Sequence, residues 1–206
     1  MDIAVVDYGM GNIRSVSKAL ERVAPRARVE VTAEPARIRA ADRVVVPGQG
    51  AMPDCMAQLA ASGARDAVVE STRSKPFLGI CIGMQMLFER GEEGGATGLG
   101  LLAGGIPRFP AAMMGGRKVP HMGWNEVRQA KSHALWKDIP SGERFYFVHS
   151  YYPDPADRAL VAATCDYGVS FTCAIARDNI FAVQFHPEKS QSAGLRLLSN
   201  FVQWRP

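Results

Sequence analysis

The sequence lacks the features that mark membrane, secreted and nucleic-acid-binding proteins. None of its apolar runs approaches the ~20 residues needed to cross a bilayer, and its opening residues, MDIAVVDYG, contain no basic segment of the kind that begins a signal peptide. The net charge of +4 comes from scattered Lys and Arg and not from a dense basic run, so we expect no nucleic-acid partner. These absences predict a cytoplasmic protein without a membrane partner.

Metal and cofactor motifs are also missing. The four cysteines, Cys55, Cys81, Cys165 and Cys173, form no CxxC pair and have no paired histidines nearby, which argues against a structural zinc site. The sequence has no P-loop, and no GxGxxG follows its first apolar run, so nothing indicates a bound nucleotide. We therefore expect neither a metal nor a cofactor.

The first ninety residues alternate between apolar strand patterns and helical patterns. Such alternation predicts βαβ units and a parallel sheet, in which ligands bind beyond the carboxyl ends of the strands. Two Gly-rich turns, at 47–50 and 79–83, fall at that edge. We expect strands at 3–8, 28–32, 44–46 and 76–80, and helices at 12–24, 54–61, 64–74 and 84–90.

The second half of the chain has a different pattern. A Gly-rich stretch at 92–105 and several prolines predict loops with short strands, after which strand patterns follow one another without helices. We therefore expect an α/β fold in which a mostly parallel central sheet, flanked by helices, gains an antiparallel extension, all within a single domain of residues 1–206. The strands are expected at 144–152, 159–164, 171–176 and 180–185, and a closing helix at 190–204.

The pentapeptide Gly79-Ile80-Cys81-Ile82-Gly83 follows an apolar strand and precedes a helix. This is the nucleophile-elbow pattern with Cys at its centre. Small flanking residues allow the sharp turn, and the helix N-terminus favours a thiolate and leaves the amide of Ile82 free to donate to an oxyanion. Taken alone, the pentapeptide is also compatible with a buried structural cysteine at a turn.

A cysteine nucleophile needs a base, and the base needs a group that orients it. His186 follows an apolar strand, and Pro187 favours an extended backbone at the residue before it. In an extended segment His186 and Glu188 project to the same side, so the carboxylate can hold one imidazole nitrogen and leave the other for the thiol. Without the elbow, a surface turn with no catalytic role is the favoured interpretation of the tripeptide.

Together, these motifs resemble the class I, or triad, glutamine amidotransferases. The resemblance extends to the glutaminase subunits of imidazole glycerol phosphate synthase, and its blocks run from near residue 7 to the last helix. One departure is Gln49, where many relatives carry Val. The matching blocks are DYGMGN at 7–12, GAMPD at 50–54, PHMGWN at 120–125, YFVHSY at 146–151 and HPEKS at 186–190.

This resemblance implies a role for each matched residue. Cys81 would attack the side-chain amide of L-glutamine, His186 would transfer the proton, and Glu188 would hold His186. The amides of Ile82 and Gln49 would form the oxyanion hole, the Gly-rich turn rearranging before it donates. The glutamine-binding residues would be Gly48, Gly50, Gln85, His149, Ser150 and Tyr151, and the partner interface would include Trp124, Tyr146 and Lys189.

The resemblance also implies a partner. The ammonia would pass to a (β/α)₈-barrel cyclase subunit in a heterodimer, which makes imidazole glycerol phosphate and an aminoimidazole carboxamide nucleotide in histidine biosynthesis. Three alternatives remain open at the sequence level: a glutaminase serving a different synthase, a stand-alone cysteine hydrolase of the same fold, and a binding homologue without catalysis. The intact set of Cys81, His186 and Glu188 argues against the last.

Overall fold

The computed structural model describes the backbone of residues 1–206 and every side chain except that of Met113. The strands are β1 Asp2–Val6, β2 Arg28–Thr32, β3 Arg43–Gly48, β4 Phe77–Cys81, β5 Phe88–Gly91, β6 Leu102–Ile106, β7 His121–Gln129, β8 Glu143–His149, β9 Asp154–Pro155, β10 Val161–Asp166, β11 Ser170–Arg177 and β12 Ile180–Val183. The helices are α1 Ile13–Val23, α2 Pro35–Ala40, α3 Met52–Ala61, α4 Arg65–Ser74, α5 Ile82–Gln85 and α6 Gln191–Gln203. Short 3₁₀ turns lie at Glu93–Gly95, Ala111–Met113, Ala134–Trp136, Arg158–Leu160 and Pro187–Lys189.

The central sheet has nine strands in the order β2-β1-β3-β4-β12-β11-β10-β7-β8. The first five strands in this order, β2, β1, β3, β4 and β12, pair in parallel. The remaining four, β11, β10, β7 and β8, extend the sheet by antiparallel pairing. The predicted α/β fold with a mixed sheet flanked by helices is confirmed. Strand β12 joins the two halves, because it pairs in parallel with β4 and antiparallel with β11.

The middle of the sheet is buried on both faces. Strands β3, β4 and β12 consist almost entirely of apolar residues and are buried along their whole length, as expected for parallel strands covered by helices. The exception is Arg43, which is also fully buried. Its guanidinium donates to the carbonyl oxygens of Val202 and Trp204, each at 2.8 Å, and so fastens the end of α6 to the sheet.

Three local expectations are corrected by the structure. The helix expected at 84–90 is wrong beyond α5, because Phe88–Gly91 forms strand β5 and pairs with β6 in a separate three-stranded sheet. The stretch after residue 105, where loops with short strands were expected, contains the long strand β7. The short helix α2 was not predicted from the sequence.

Among the described residues, no helix combines the length and the apolar character that a membrane span requires.

Candidate active site

A cavity of about 260 Å³ lies at the carboxyl ends of β3 and β4. It brings together residues from both halves of the chain, including all but one of the predicted glutamine-binding residues. The exception, Gly48, lies against Gly83 and Tyr8, where a Cβ atom would be 2.7 Å from the Gly83 nitrogen. The lining residues are Gln49, Gly50, Cys81, Ile82, Gln85, Glu93, Pro120, Val148, His149, Ser150, Tyr151 and His186.

Cys81 stands at the sharp turn between β4 and α5. Its backbone has φ 57° and ψ −113°, a region that a residue with a side chain rarely adopts. The neighbouring glycines permit this turn, because a Cβ atom on Gly83 would collide with the carbonyl oxygen of Val46, and one on Gly79 would lie 2.8 Å from the carbonyl oxygen of Gly83. The turn directs the thiol into the cavity.

His186 is held from behind by Glu188. The Nδ1 atom of His186 lies 2.8 Å from Oε1 of Glu188, and the two side chains are 2% and 1% exposed. Because a carboxylate can only accept, Nδ1 carries the hydrogen. Asn12 also donates to Oε1 of Glu188, at 3.2 Å. Nε2 of His186 is buried and has no hydrogen-bond partner among the described residues, so it is left for the cavity.

The charges around His186 favour its protonated form. Burial disfavours the imidazolium, but the charges of Cys81 and Glu188 outweigh burial and raise the pKa of His186 to about 10. The imidazole and the sulfur interact through charge without meeting hydrogen-bond geometry. The site therefore favours a protonated imidazole beside the sulfur of Cys81.

Two glutamine side chains connect Cys81 to the cavity wall. Nε2 of Gln184 lies 3.6 Å from Sγ of Cys81, and Oε1 of Gln184 accepts from Nε2 of Gln85 at 2.9 Å. Gln85 also donates to the carbonyl oxygen of Tyr151 at 3.3 Å. Sequence reasoning missed Gln184 and gave no role to Asn12. The only sequence signals for these two residues were that Gln184 lies two residues before His186 and that Asn12 ends the block at 7–12.

His149 is the end of a buried chain of imidazoles. Its Nδ1 lies 2.8 Å from the carbonyl oxygen of Tyr151, and its Nε2 lies 2.9 Å from Nδ1 of His121. Nε2 of His121 in turn lies 3.4 Å from Nδ2 of Asn125. Burial lowers the pKa of His149 to about 3 and that of His121 to about 4, so both rings are neutral at neutral pH.

The Gly-rich turn after β3 is tied down by two side chains. The hydroxyl of Tyr8 donates to the carbonyl oxygen of Pro47 at 2.7 Å, and the thiol of Cys55 donates to that of Gln49 at 3.4 Å. Gly50 has φ +97°, which favours glycine. Cys55 thus contacts the turn that is predicted to supply an oxyanion donor.

The residues predicted to form a partner interface lie together on the surface. Trp124 is 44% exposed and its ring centroid is 6.1 Å from that of Tyr146. Nζ of Lys189 lies 5.9 Å from the same Tyr146 ring. The adjacent Met122 is 63% exposed, so this corner of strands β7 and β8 presents apolar and basic surface together.

The described residues contain no group of three or more His, Cys, Asp and Glu side chains arranged to hold a metal ion. The chemistry that these contacts can support is that of a thiolate, an imidazolium and a carboxylate beside a cavity lined by amides. A cavity of this kind suits a small polar substrate with an electrophilic carbonyl.

Comparison with known proteins agrees with this geometry. The family model for glutamine amidotransferase class-I matches residues 4–204. Among solved structures, one described as a glutamine amidotransferase superposes with a TM-score of 0.73 at 18% identity, covering 97% of each chain. PurLQS from Thermotoga maritima gives a TM-score of 0.74 at 16% identity, covering 98% of this chain and 97% of that one. At such identities these structures establish the fold alone.

Sequence relatives are much closer. The imidazole glycerol phosphate synthase subunit HisH of Aromatoleum aromaticum is 64% identical, with 100% of this chain and 99% of the relative covered. The subunit of the same name from Dechloromonas aromatica is 65% identical, with 99% and 97% covered. The chain thus belongs to the class-I glutamine amidotransferases and, within them, to the family of imidazole glycerol phosphate synthase HisH subunits.

Proposed function

We propose that this chain hydrolyses L-glutamine to glutamate and ammonia as the glutaminase subunit of imidazole glycerol phosphate synthase in histidine biosynthesis. The observation that carries the proposal is Cys81, held on a left-handed backbone in a cavity beside the buried His186–Glu188 pair. The names of the relatives supply the synthase.

In the proposed reaction, the sulfur of Cys81 attacks the side-chain carbonyl carbon of glutamine. The carbon–nitrogen bond breaks, and the departing ammonia takes its proton from His186, leaving a γ-glutamyl thioester. Water then attacks the thioester and gives its proton to His186, which releases glutamate and restores the thiolate. Glu188 keeps Nε2 of His186 aimed at these steps by holding Nδ1 at 2.8 Å.

The negative charge on the attacked oxygen needs donors. We assign this role to the amides of Ile82, the first residue of α5, and of Gln49 in the turn after β3. The contacts of Tyr8 and Cys55 with this turn hold two of its carbonyl groups. A rearrangement of the turn must therefore release or accommodate these contacts.

The ammonia is passed to a (β/α)₈-barrel cyclase subunit, which makes imidazole glycerol phosphate and an aminoimidazole carboxamide nucleotide. We assign the docking surface to Trp124, Tyr146 and Lys189. A short path connects this surface to the base, because the backbone amide of His186 donates to the carbonyl oxygen of Tyr146 at 2.9 Å. Docking on Tyr146 thereby bears directly on the position of His186.

Glutamate release by the purified chain tests this function. We expect weak release from the chain alone, and strong stimulation when the cyclase subunit and its nucleotide are added. Cys81→Ala should abolish glutamine-dependent synthesis and leave ammonia-dependent synthesis by the complex intact. Strong hydrolysis without a partner, or no stimulation by the cyclase, would contradict the proposal.

The surface assignment has its own test. Since Trp124 is half exposed, Trp124→Ala should change the free energy of unfolding little while weakening binding to the cyclase by about tenfold or more. Calorimetric titration of the two subunits measures the affinity. Val31→Ala, which removes an apolar side chain of similar exposure (42%) from β2, at the opposite edge of the sheet, serves as the control and should bind like the unchanged chain.

A further inference from the structure

The orientation of Gln184 follows from a chain of contacts that begins at a backbone carbonyl. The oxygen of Tyr151 can only accept a hydrogen bond, so the atom of Gln85 that contacts it at 3.3 Å must be Nε2. The same nitrogen lies 2.9 Å from the side chain of Gln184 and must donate to its oxygen. The atom of Gln184 that faces Cys81 is therefore its amide nitrogen, 3.6 Å from Sγ.

This orientation of Gln184 favours the thiolate form of Cys81 over the thiol form. An amide N–H stabilises a sulfur that accepts, and hydrogen bonds to a charged acceptor are roughly twice as strong as those to a neutral one. Gln184 is fully buried, so water does not compete with the sulfur for its amide N–H.

We propose that Gln184 is a further catalytic residue, whose side-chain amide donates to the Cys81 thiolate and holds it ready before the substrate binds. This role rests on the proposed nucleophile at Cys81. Gln85, which lies in the cavity wall, determines that the nitrogen and not the oxygen of the Gln184 side chain faces Cys81. Its own Oε1 is buried without a hydrogen-bond partner among the described residues, which leaves an acceptor for an N–H group of the bound glutamine.

The experiment measures the rate at which iodoacetamide alkylates Cys81 in the full-length chain, with the labelled cysteine identified by mass spectrometry. Gln184→Met keeps the length of the side chain and removes the donor. We expect Cys81 of this variant to react about tenfold more slowly at neutral pH. In alkaline solution, where the thiol ionises without help, the rate should equal or exceed that of the unchanged chain.

A matched control variant separates this effect from a general disturbance. Gln203→Met makes the same change at an exposed position of α6 and should leave the rate unchanged. The other titratable groups that act on Cys81, namely His186, Tyr8 and Cys55, are retained in both variants. An alkylation rate equal to that of the unchanged chain in a folded Gln184→Met protein would overturn the proposal.

A second measurement needs no variant. In protein labelled with ¹⁵N-glutamine, the side-chain amide resonance of Gln184 should shift when Cys81 is alkylated, and an unmoved resonance would overturn the proposal even if Gln184→Met does not fold. Neither readout uses glutamine as a substrate, so absence of glutamate release would count against the proposed function alone. In the active complex, Gln184→Met should lower kcat and leave KM nearly unchanged, because Gln184 does not line the cavity.

Discussion

At the scale of single residues, the backbone of Cys81 matters as much as its sulfur. Its positive φ is compatible with glycine and unfavourable for every residue with a Cβ atom. The surrounding sheet and the close contact of Gly83 with β3 impose this conformation. The nucleophile is thus exposed to the cavity at a cost in conformational energy that the rest of the fold offsets.

This strain predicts an unusual order of stabilities. The free energy of unfolding of Cys81→Gly should exceed that of Cys81→Ala by about 1 kcal/mol. Within regular structure the order is normally the reverse, because glycine destabilises the folded state relative to alanine. The reason is that relief of the strained φ exceeds the extra entropy of glycine in the unfolded chain. Urea denaturation of both variants measures the difference. The opposite order would mean that the turn is not strained.

The sequence predicted single residues where their chemistry was visible in a local motif. Cys81 is marked by its flanking glycines, and His186 and Glu188 are two residues apart. Gln184, Asn12 and His121 were missed as parts of the site because their partners are distant in the chain. Gln184 and Cys81 are separated by 103 residues, and Asn12 and Glu188 by 176. No local pattern records such contacts.

At the scale of elements, the close approach of α5 to β3 shapes the site. Gly83 lies so near the carbonyl oxygen of Val46 that no side chain fits between them. The same contact places the start of α5, and therefore the amide of Ile82, beside the turn that carries Gln49. The two proposed oxyanion donors are brought together by backbone packing and not by side chains.

This packing predicts a large effect from one methyl group. Gly83→Ala should lower the free energy of unfolding by about 3 kcal/mol or prevent folding, because the backbone of β3 must move. Gly105→Ala is the matched control. A Cβ atom there has its nearest neighbour at 3.6 Å, so this variant should stay within about 0.5 kcal/mol of the unchanged chain. Similar stabilities of the two variants in urea denaturation would contradict the argument.

The elements themselves were predicted best where their residues are buried by the sheet. Strands β1, β3 and β4 carry continuous apolar runs, and their alternation with helical patterns correctly indicated a parallel sheet. The expected helix at 84–90 failed because its apolar residues suit either structure, and the pairing of Phe88 with Leu102 decides for a strand. Strand β7 was hidden by its glycine, its polar residues and its two exposed apolar residues, Met122 and Trp124.

At the scale of the whole molecule, buried histidines set the dependence of stability on pH. Burial lowers the pKa of His121, His133 and His149, so the unfolded chain binds more protons than the folded one below pH ~6.5. The charges around His186 raise its pKa to about 10. The stabilisation of the folded state by protonated His186 is complete below pH ~6.5 and is lost as the pH rises toward 10.

These opposite shifts predict a maximum of stability close to neutral pH. As the pH falls below ~6.5, the free energy of unfolding should decline at up to about 1.4 kcal/mol per pH unit for each of the three histidines with a lowered pKa. Urea denaturation over a series of pH values measures this slope. His121→Asn should reduce the acid slope and leave the alkaline side unchanged. A stability that is constant from neutral to acid pH would contradict the burial of neutral imidazoles.

The long separations within the site have a consequence for the chain as it is made. The sulfur of Cys81 meets its proposed base and its proposed amide donor only after strand β12 has inserted beside β4. Glu188 also binds Asn12, from the other end of the sequence. During synthesis Cys81 emerges about a hundred residues before its base. If Cys81 acts as proposed, an incomplete chain carries an ordinary thiol, and the reactive thiol forms only with the completed fold.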